Sequence, residues 1–417
     1  MNKNILADKI INSLRQGLPP RKGTNLYSVG YDKLIDGIKN NHLSKIDQSG
    51  KIRFISGSWG AGKTHFFRLL REITFENNCL VSNVELNVNE APLNKFEKVF
   101  YSIIRNVSTP SQYKDSIDST IPFANVVYEA LRTLGESNGE EITHEEFDRA
   151  CHKLMSDKGI DIDFKKIIQE YWKTYFSESA DAVLIEQTRD ELIQWFTGEG
   201  KRSEYSRKFG VNKMVSKENA KLLLQSLTEF IKLAGYKGLV ILFDEAEQSF
   251  SVMRRSALRD AHNNLLSLIN NISDLNGLFL IYATTPDFYN DPKHGIIIYG
   301  ALAQRIGQPE DKPPRSLQTV WNLDEINMDL TLYQEAAQKI RDLYIKTSPE
   351  FNDSLFNNEK TKDFVKELYD EHPQYSPVRF WRVLVTGLIK KLDALLEGED
   401  LSTSEIHKDV MHQLKEN

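Results

Sequence analysis

An α/β architecture, with a parallel sheet split by a large helical insertion and followed by a helical C-terminal region, is the fold class predicted by three observations. Short apolar runs of strand length recur at 52–56, 81–88, 238–243 and 278–283, with helical patterns between them. One of them, Gly238-Leu239-Val240-Ile241-Leu242-Phe243, is apolar without a break, as strands covered on both faces of a parallel sheet are. The stretch from about Leu93 to Ala234 has almost entirely helical patterning and is far too long for a simple crossover between strands.

The elements follow in order. Ile5 to Leu14 is a short amphipathic stretch, ended by the breaker run Gly17-Leu18-Pro19-Pro20-Arg21-Lys22-Gly23. A second helical pattern surrounds Leu34, Ile35 and Ile38. Ile52-Arg53-Phe54-Ile55-Ser56 reads as a buried strand ending in glycines, and His65 to Ile73 repeats apolar residues at helical spacing. Val81 to Val88 alternates and reads as a second strand. Within the insertion, Leu184, Ile185, Leu192, Ile193, Trp195 and Phe196 are candidate core residues, and Gly198-Glu199-Gly200 marks a loop. After the strand at 238–243 comes a helix from Ser256 to Asn271. Leu278 to Ala283 is a further strand ending at Thr284-Thr285-Pro286, and Leu317 to Leu323 is one more candidate. From about Asp329 the chain is helical and charged.

Composition narrows the function classes. The chain has 417 residues, enough for two or three domains, and 40% of them are hydrophobic, enough to build a core. Its formal charge is −6, so any nucleic-acid contact has to come from a local basic face. One such cluster is Lys201-Arg202, Arg207-Lys208 and Lys213, for which a solvated loop is the plainer reading. The aromatic groups Tyr171-Trp172-Tyr175-Phe176 and Trp195-Phe196 sit at helical spacing, which favours core packing over base stacking. No uncharged apolar run approaches the ~20 residues of a bilayer span, and the N-terminus lacks a signal-peptide pattern, so a cytoplasmic protein is expected. Cys79 and Cys151 make neither a disulfide framework nor a zinc pattern and are expected to be buried thiols. No histidine stands at transition-metal ligand spacing from another His or Cys.

Gly57-Ser58-Trp59-Gly60-Ala61-Gly62-Lys63-Thr64 fits G-x-x-x-x-G-K-[ST] at every fixed position, with a strand before it and a helix after it. In such a loop the glycines let backbone N–H groups turn inward onto phosphate oxygens, and the helix N-terminus adds its positive end. Lys63 is expected to reach the β- and γ-phosphates of ATP, and the Thr64 hydroxyl to hold Mg²⁺. The strand at 239–243 ends in Asp244-Glu245. Asp244 suits the metal's water shell, and Glu245 can polarise a water for attack on the γ-phosphate. Glu247 reads as a supporting or surface residue. Thr284 or Thr285, at the end of the next strand, can watch the γ-phosphate, or can simply end the strand. Arg305, in Ala301-Leu302-Ala303-Gln304-Arg305, can reach a neighbouring subunit's γ-phosphate. Arg379 can reach its own nucleotide from the start of the final long helix, since a guanidinium stays charged and matches phosphate geometry. For both arginines a solvated or capping role is the plainer alternative.

In combination these pieces resemble the ATP-binding proteins of bacteriophage-exclusion (BREX) defence systems, BrxD type. The resemblance rests on Leu14-Arg15-Gln16-Gly17 with Pro20-Arg21 and Val29-Gly30, then Gly57 to Thr64 with His65-Phe66-Phe67. It continues through Glu90-Ala91-Pro92-Leu93, Trp195 with Gly198, Phe209-Gly210-Val211, and Gly235-Tyr236-Lys237-Gly238-Leu239 into Asp244-Glu245-Ala246-Glu247. Leu302-Ala303-Gln304-Arg305 and Pro377 to Phe380 close the set. It implies a P-loop, AAA+-like ATPase related to origin-recognition and helicase-loading ATPases, in bacterial antiviral defence and beside a helicase partner. By position it assigns Lys63, Thr64, Asp244 and Glu245 to the ATPase centre and Arg379 to the lid. Val29, Gly30 and His65 are further candidate nucleotide-binding residues. Val378 stands between Pro377 and Arg379 where the family pattern has none, and one residue on a helix turns a side chain by about 100°.

The expected division is an N-terminal arm, 1–48, contributing to the nucleotide pocket; a P-loop core, 49–92 with 236–328; a helical insertion, 93–235; and a C-terminal helical lid, 329–417. The expected activity is Mg²⁺-dependent ATP hydrolysis driving a switch or loader on DNA or a DNA-processing partner, in a homo-oligomer. The alternatives are a nucleotide-gated scaffold with negligible turnover, disfavoured by Asp244-Glu245, and a small-molecule kinase, disfavoured by that pair and by the lack of a short Arg-rich lid.

Overall fold

The structure, a computed structural model, describes residues 3–110, 122–139, 141–177, 181–251, 253–326, 328–373, 376 and 378–416. Pro377 lies outside the described residues, as does the side chain of Glu247.

The fold is mixed α/β. Among the described residues, six strands, β1 (Lys51–Ser56), β2 (Leu80–Glu85), β3 (Val107–Ser108), β4 (Leu239–Asp244), β5 (Leu278–Thr284) and β6 (Val320–Asn322), form one sheet in the order β3-β2-β4-β5-β1-β6. β2 and β4 pair in parallel, with Val81 opposite Val240 and Glu85 opposite Asp244. β4 and β5 are also parallel, with Val240 opposite Phe279. The short β3 pairs antiparallel with β2, through Val81–Ser108 and Ser82–Val107. Leu239 to Phe243 are all buried, the burial that the unbroken apolar run predicts.

The chain divides into two compact units. The first comprises residues 1–38, 56–73 and 309–417, and the second 39–55 and 74–308. In the first unit the N-terminal helix, Lys3–Arg15, joins the C-terminal helices. Ala7, Ile10, Ile11 and Leu14 share a core with Ile340, Tyr344, Val383, Leu384 and Leu388 of the helices Leu330–Thr347 and Phe380–Leu396. Arg15 makes two 2.8 Å hydrogen bonds to Asp393, the fork geometry that suits a guanidinium to a carboxylate. Glu72 ties the following loop to the helix Lys63–Glu76, accepting from the backbone N–H groups of Thr24 and Asn25 at 2.8 and 3.0 Å. A shorter helix, Thr403–Glu416, follows Phe380–Leu396 and buries Ile406 and Val410 in the same core.

The second unit carries the insertion. Its helices include Phe96–Asn106, Pro122–Gly135, His144–Ser156, Ile162–Lys173, Ala182–Phe196, Arg202–Phe209 and Ala220–Leu233. The expectation of an almost entirely helical insertion misses β3, which is only two residues long and leaves no periodicity to read. Leu192, Ile193, Trp195 and Phe196 are buried, and Phe196 meets Phe123 and Phe164 at ring distances of 5.0 and 4.8 Å. Leu184, expected in this core, is 53% exposed, and Ile185 is half-buried. Helix Ala182–Phe196 packs by its C-terminal half, so its first turns face outward. Trp172 and Trp195 are buried and spend their indole N–H groups on the carbonyls of Val127 and Lys213, which leaves neither ring for base stacking. Cys79 and Cys151 are buried free thiols, and burial raises the pKa of both.

Candidate functional site

Within the first unit, Gly57 to Thr64 leads into the helix that starts at Lys63. Gly60 and Gly62 hold φ values of +80° and +88°, backbone that side-chain-bearing residues adopt only under strain. A Cβ on Gly60 would stand 3.2 Å from Arg379 Cγ, and one on Gly62 would stand 3.3 Å from the Tyr31 hydroxyl. The loop is thus bent by its glycines and closely approached by two side chains distant in sequence. The Lys63 ammonium donates to the Gly57 carbonyl at 2.6 Å, so it lies along the inside of its own loop. Thr64 is exposed at the helix start, and Trp59, at the crest of the loop, is 74% exposed.

A cavity of about 290 Å³ opens beside the loop. Gly60, Ala61 and Gly62 form one wall, Val29 and Tyr31 of the N-terminal segment another, and Tyr333, Arg379 and Trp381 of the C-terminal helices a third. Leu323, Asp324, Ile326 and Met328 complete it, with Met328 also close to Gly30. The N-terminal segment is held in place by His65, the residue after the loop. His65 is buried; its Nε2 lies 2.8 Å from the Ser28 hydroxyl and its Nδ1 3.3 Å from the Tyr27 hydroxyl. Burial pushes the His65 imidazole down to about 4, so at neutral pH the ring is uncharged. Burial likewise pushes the Tyr333 phenol up to about 12.

Asp324, not singled out by the sequence, organises the charged side of the cavity. Its Oδ2 accepts the Ser58 backbone N–H at 2.8 Å, and its Oδ1 accepts the Ser58 hydroxyl at 2.7 Å and Arg379 Nη2 at 2.7 Å. Arg379 Nη2 also donates to the Ser58 hydroxyl. Arg379, the residue before helix Phe380–Leu396, therefore reaches the glycine loop despite the extra Val378. The available signal for Asp324 was its place just after a short strand. Tyr31, Tyr333 and Trp381 carried no such signal.

In the second unit, Asp244 and Glu245 stand at the C-terminal end of β4, both half-buried. Asp244 Oδ1 accepts the Glu245 N–H at 3.0 Å, and Glu245 holds φ at +56°, in the left-handed region rare for a residue with a side chain. Thr284 is fully buried. Its hydroxyl bonds the Ile55 carbonyl at 2.8 Å and the Tyr289 hydroxyl at 2.9 Å, so it ties β5 to β1 and to the helix Pro286–Asn290. Thr285, also buried, precedes that helix. Arg305 lies in the last turn of helix Gly300–Ile306, exposed and without an ion pair among the described residues.

A strand, a glycine-bent loop with an inward lysine, and an aromatic cavity beside it are the parts of a nucleotide-binding protein. The chain belongs to the family described as BREX system ATP-binding protein BrxC/D, whose model matches residues 3–410. This bears out the BREX family and the ATP ligand expected from the sequence. No curated protein and no solved structure matches the chain. Among the described residues, no helix is long and apolar enough to cross a membrane, and no three His, Cys, Asp or Glu side chains cluster to hold a metal ion.

Proposed function

We propose that this BREX ATP-binding protein is a Mg²⁺-dependent ATPase of the BrxD type, with a P-loop, AAA+-like fold, that serves as a nucleotide-driven switch or loader. It acts on DNA or on a DNA-processing partner such as a helicase, in the cytoplasm, as a homo-oligomer. The carrying observation is the glycine loop with Lys63 turned along its inside and a cavity beside it closed by Arg379. Loop amides from Gly57 to Thr64 take phosphate oxygens, Lys63 neutralises the outer phosphates, and the base rests against Val29, Gly30 and the ring-lined wall. The arm (1–48), core (49–92 and 236–328), insertion (93–235) and lid (329–417) belong to the same reading.

Magnesium prefers oxygen donors and keeps several waters, so a hydroxyl and one carboxylate suit it and a three-carboxylate cluster is not required. Thr64 and Asp244 are its proposed ligands, and when bound the ion offsets phosphate charge. Glu245 orients the attacking water, Thr284 or Thr285 reports the γ-phosphate, Arg379 holds it from the lid, and Arg305 serves a neighbouring copy.

The test is Lys63→Ala. It should abolish binding of a fluorescent ATP analogue and phosphate release alike, in protein whose melting temperature is unchanged. Full nucleotide binding by this variant would overturn the proposal. Glu245→Gln, binding ATP without cleaving it, separates an ATPase from a gated scaffold, for which wild type itself would release no phosphate.

A further inference from the structure

The insertion contains a second open groove, of about 480 Å³, lined by Arg202, Asn212, Lys213, Ser216 and Asn219 together with Met214, Leu222 and Glu218. The segment 210–216, which lines much of it, is partly exposed and is hydrogen-bonded from below. Asp163 is 3% exposed, and its two oxygens accept the backbone N–H groups of Asn212 and Lys213 at 3.0 and 2.9 Å. The Trp195 indole donates to the Lys213 carbonyl at 3.1 Å, Tyr101 to the Val215 carbonyl at 3.2 Å, and Lys166 to the Gly210 carbonyl at 2.6 Å. Val211 and Val215 are buried, pegging the loop at both ends. A buried carboxylate and three long polar side chains are thus spent on fixing a short surface loop whose Asn212 and Lys213 side chains are exposed.

Those side chains are cationic and amide-bearing. Residues 199–221 hold seven Lys or Arg and three Glu, in a chain of net charge −6. Lys208 is taken by Glu191 at 2.8 Å, and the Glu218 carboxylate accepts the Ser216 hydroxyl at 2.6 Å. Arg202, Arg207 and Lys213 make no ion pair among the described residues. Among the described residues no aromatic side chain lines the groove, and Trp195 and Tyr205 nearby in sequence are each 1% exposed. Single strands are gripped through bases stacked on exposed rings, whereas a duplex backbone is gripped by cations, amides and hydroxyls.

We propose that this groove binds the phosphate backbone of double-stranded DNA, without reading its sequence, with Arg202 and Lys213 as the phosphate ligands. The proposal deepens the DNA side of the function given above, and its readout does not depend on ATP turnover.

The experiment titrates the full chain against a fluorescein-labelled DNA duplex by anisotropy, at low and moderate salt. Arg202→Gln with Lys213→Gln should weaken binding about tenfold and flatten the slope of log affinity against log salt by about two, since each lost phosphate contact removes close to one unit. Asp163→Asn keeps every cation but loosens the loop, and should move affinity and slope the same way by less. Binding of a fluorescent ATP analogue should be unchanged in these variants, which keeps failure here distinct from failure of the ATPase reading. Unchanged duplex affinity and slope in the double variant would overturn the proposal. So would wild type that prefers a single strand of equal length, or polyglutamate, to the duplex.

Discussion

Arg379 Nη2 stands 2.7 Å from Asp324 Oδ1, and both side chains also reach the hydroxyl of Ser58 in the glycine loop. The carboxylate is secured by the Ser58 N–H and hydroxyl independently of the arginine. It is therefore a fixed anchor that tells the guanidinium where to stand. A long side chain that is half exposed would otherwise spread over many rotamers.

That arrangement makes the two residues energetically coupled. Asp324→Asn and Arg379→Ala should each weaken binding of a fluorescent ATP analogue, and the double variant should fall short of the sum by about 1 kcal/mol, the scale for a partly exposed pair. This is about fivefold in affinity. Additive effects in the double-mutant cycle would mean that Asp324 does not work through Arg379.

How much of this was legible in the sequence depends on the range of the interaction. The glycine loop, Lys63 and Thr64 are adjacent along the chain, and their spacing alone carries the phosphate-binding pattern. β4 was equally plain, because an unbroken apolar run is what burial on both faces requires. Asp324 was not legible as a site residue: its partners lie 266 and 55 residues away, and its place just after a short strand does not name them. The docking of the N-terminal helix among the C-terminal helices was hidden for the same reason, since an amphipathic stripe at Ile10 and Leu14 does not say which core receives it. Leu184 shows the opposite error, an apolar residue in a helical pattern that lies on the outward half of its helix.

Glu245 combines a proposed catalytic role with a strained backbone, φ +56°. Left-handed backbone costs a side-chain-bearing residue about 1 kcal/mol or slightly more, and glycine escapes that cost. Glu245→Gly should therefore raise the unfolding free energy by about 1 kcal/mol while abolishing hydrolysis. Glu245→Gln should leave stability unchanged and lower turnover by at least about a hundredfold. Urea titration and phosphate release on the same preparations check both halves. A less stable glycine variant would show that the conformation carries no strain.

His65 sets a pH dependence with a definite sign. Its folded-state pKa is lowered by burial from 6.5 to about 4, so the unfolded chain takes up the proton first. Stability is fully present above pH 6.5 and is lost as pH falls from there toward about 4. His262, lowered to about 4 by burial as well, acts in the same direction. Urea midpoints should drop between about pH 7.5 and about pH 5, and His65→Gln should remove part of that drop and leave the remainder to His262 and other groups. An unchanged pH slope in His65→Gln would show that the buried ring titrates normally.

Arg305 offers a test of assembly. It is exposed, ends a short helix, and has no ion pair among the described residues. An arginine with a free fork suits a phosphate group presented by another molecule. Arg305→Ala should retain ATP-analogue binding but lose most turnover, by about a hundredfold or more if it acts on transition-state charge. Mixing decides whether it acts across copies. Lys63→Ala protein cannot bind nucleotide but has its arginine, and Arg305→Ala protein binds nucleotide but lacks the arginine. An equimolar mixture should regain turnover, because some contacts between copies then join an intact loop to an intact Arg305. If the mixture stays as inactive as its components while light scattering shows that they co-assemble, Arg305 does not act in trans.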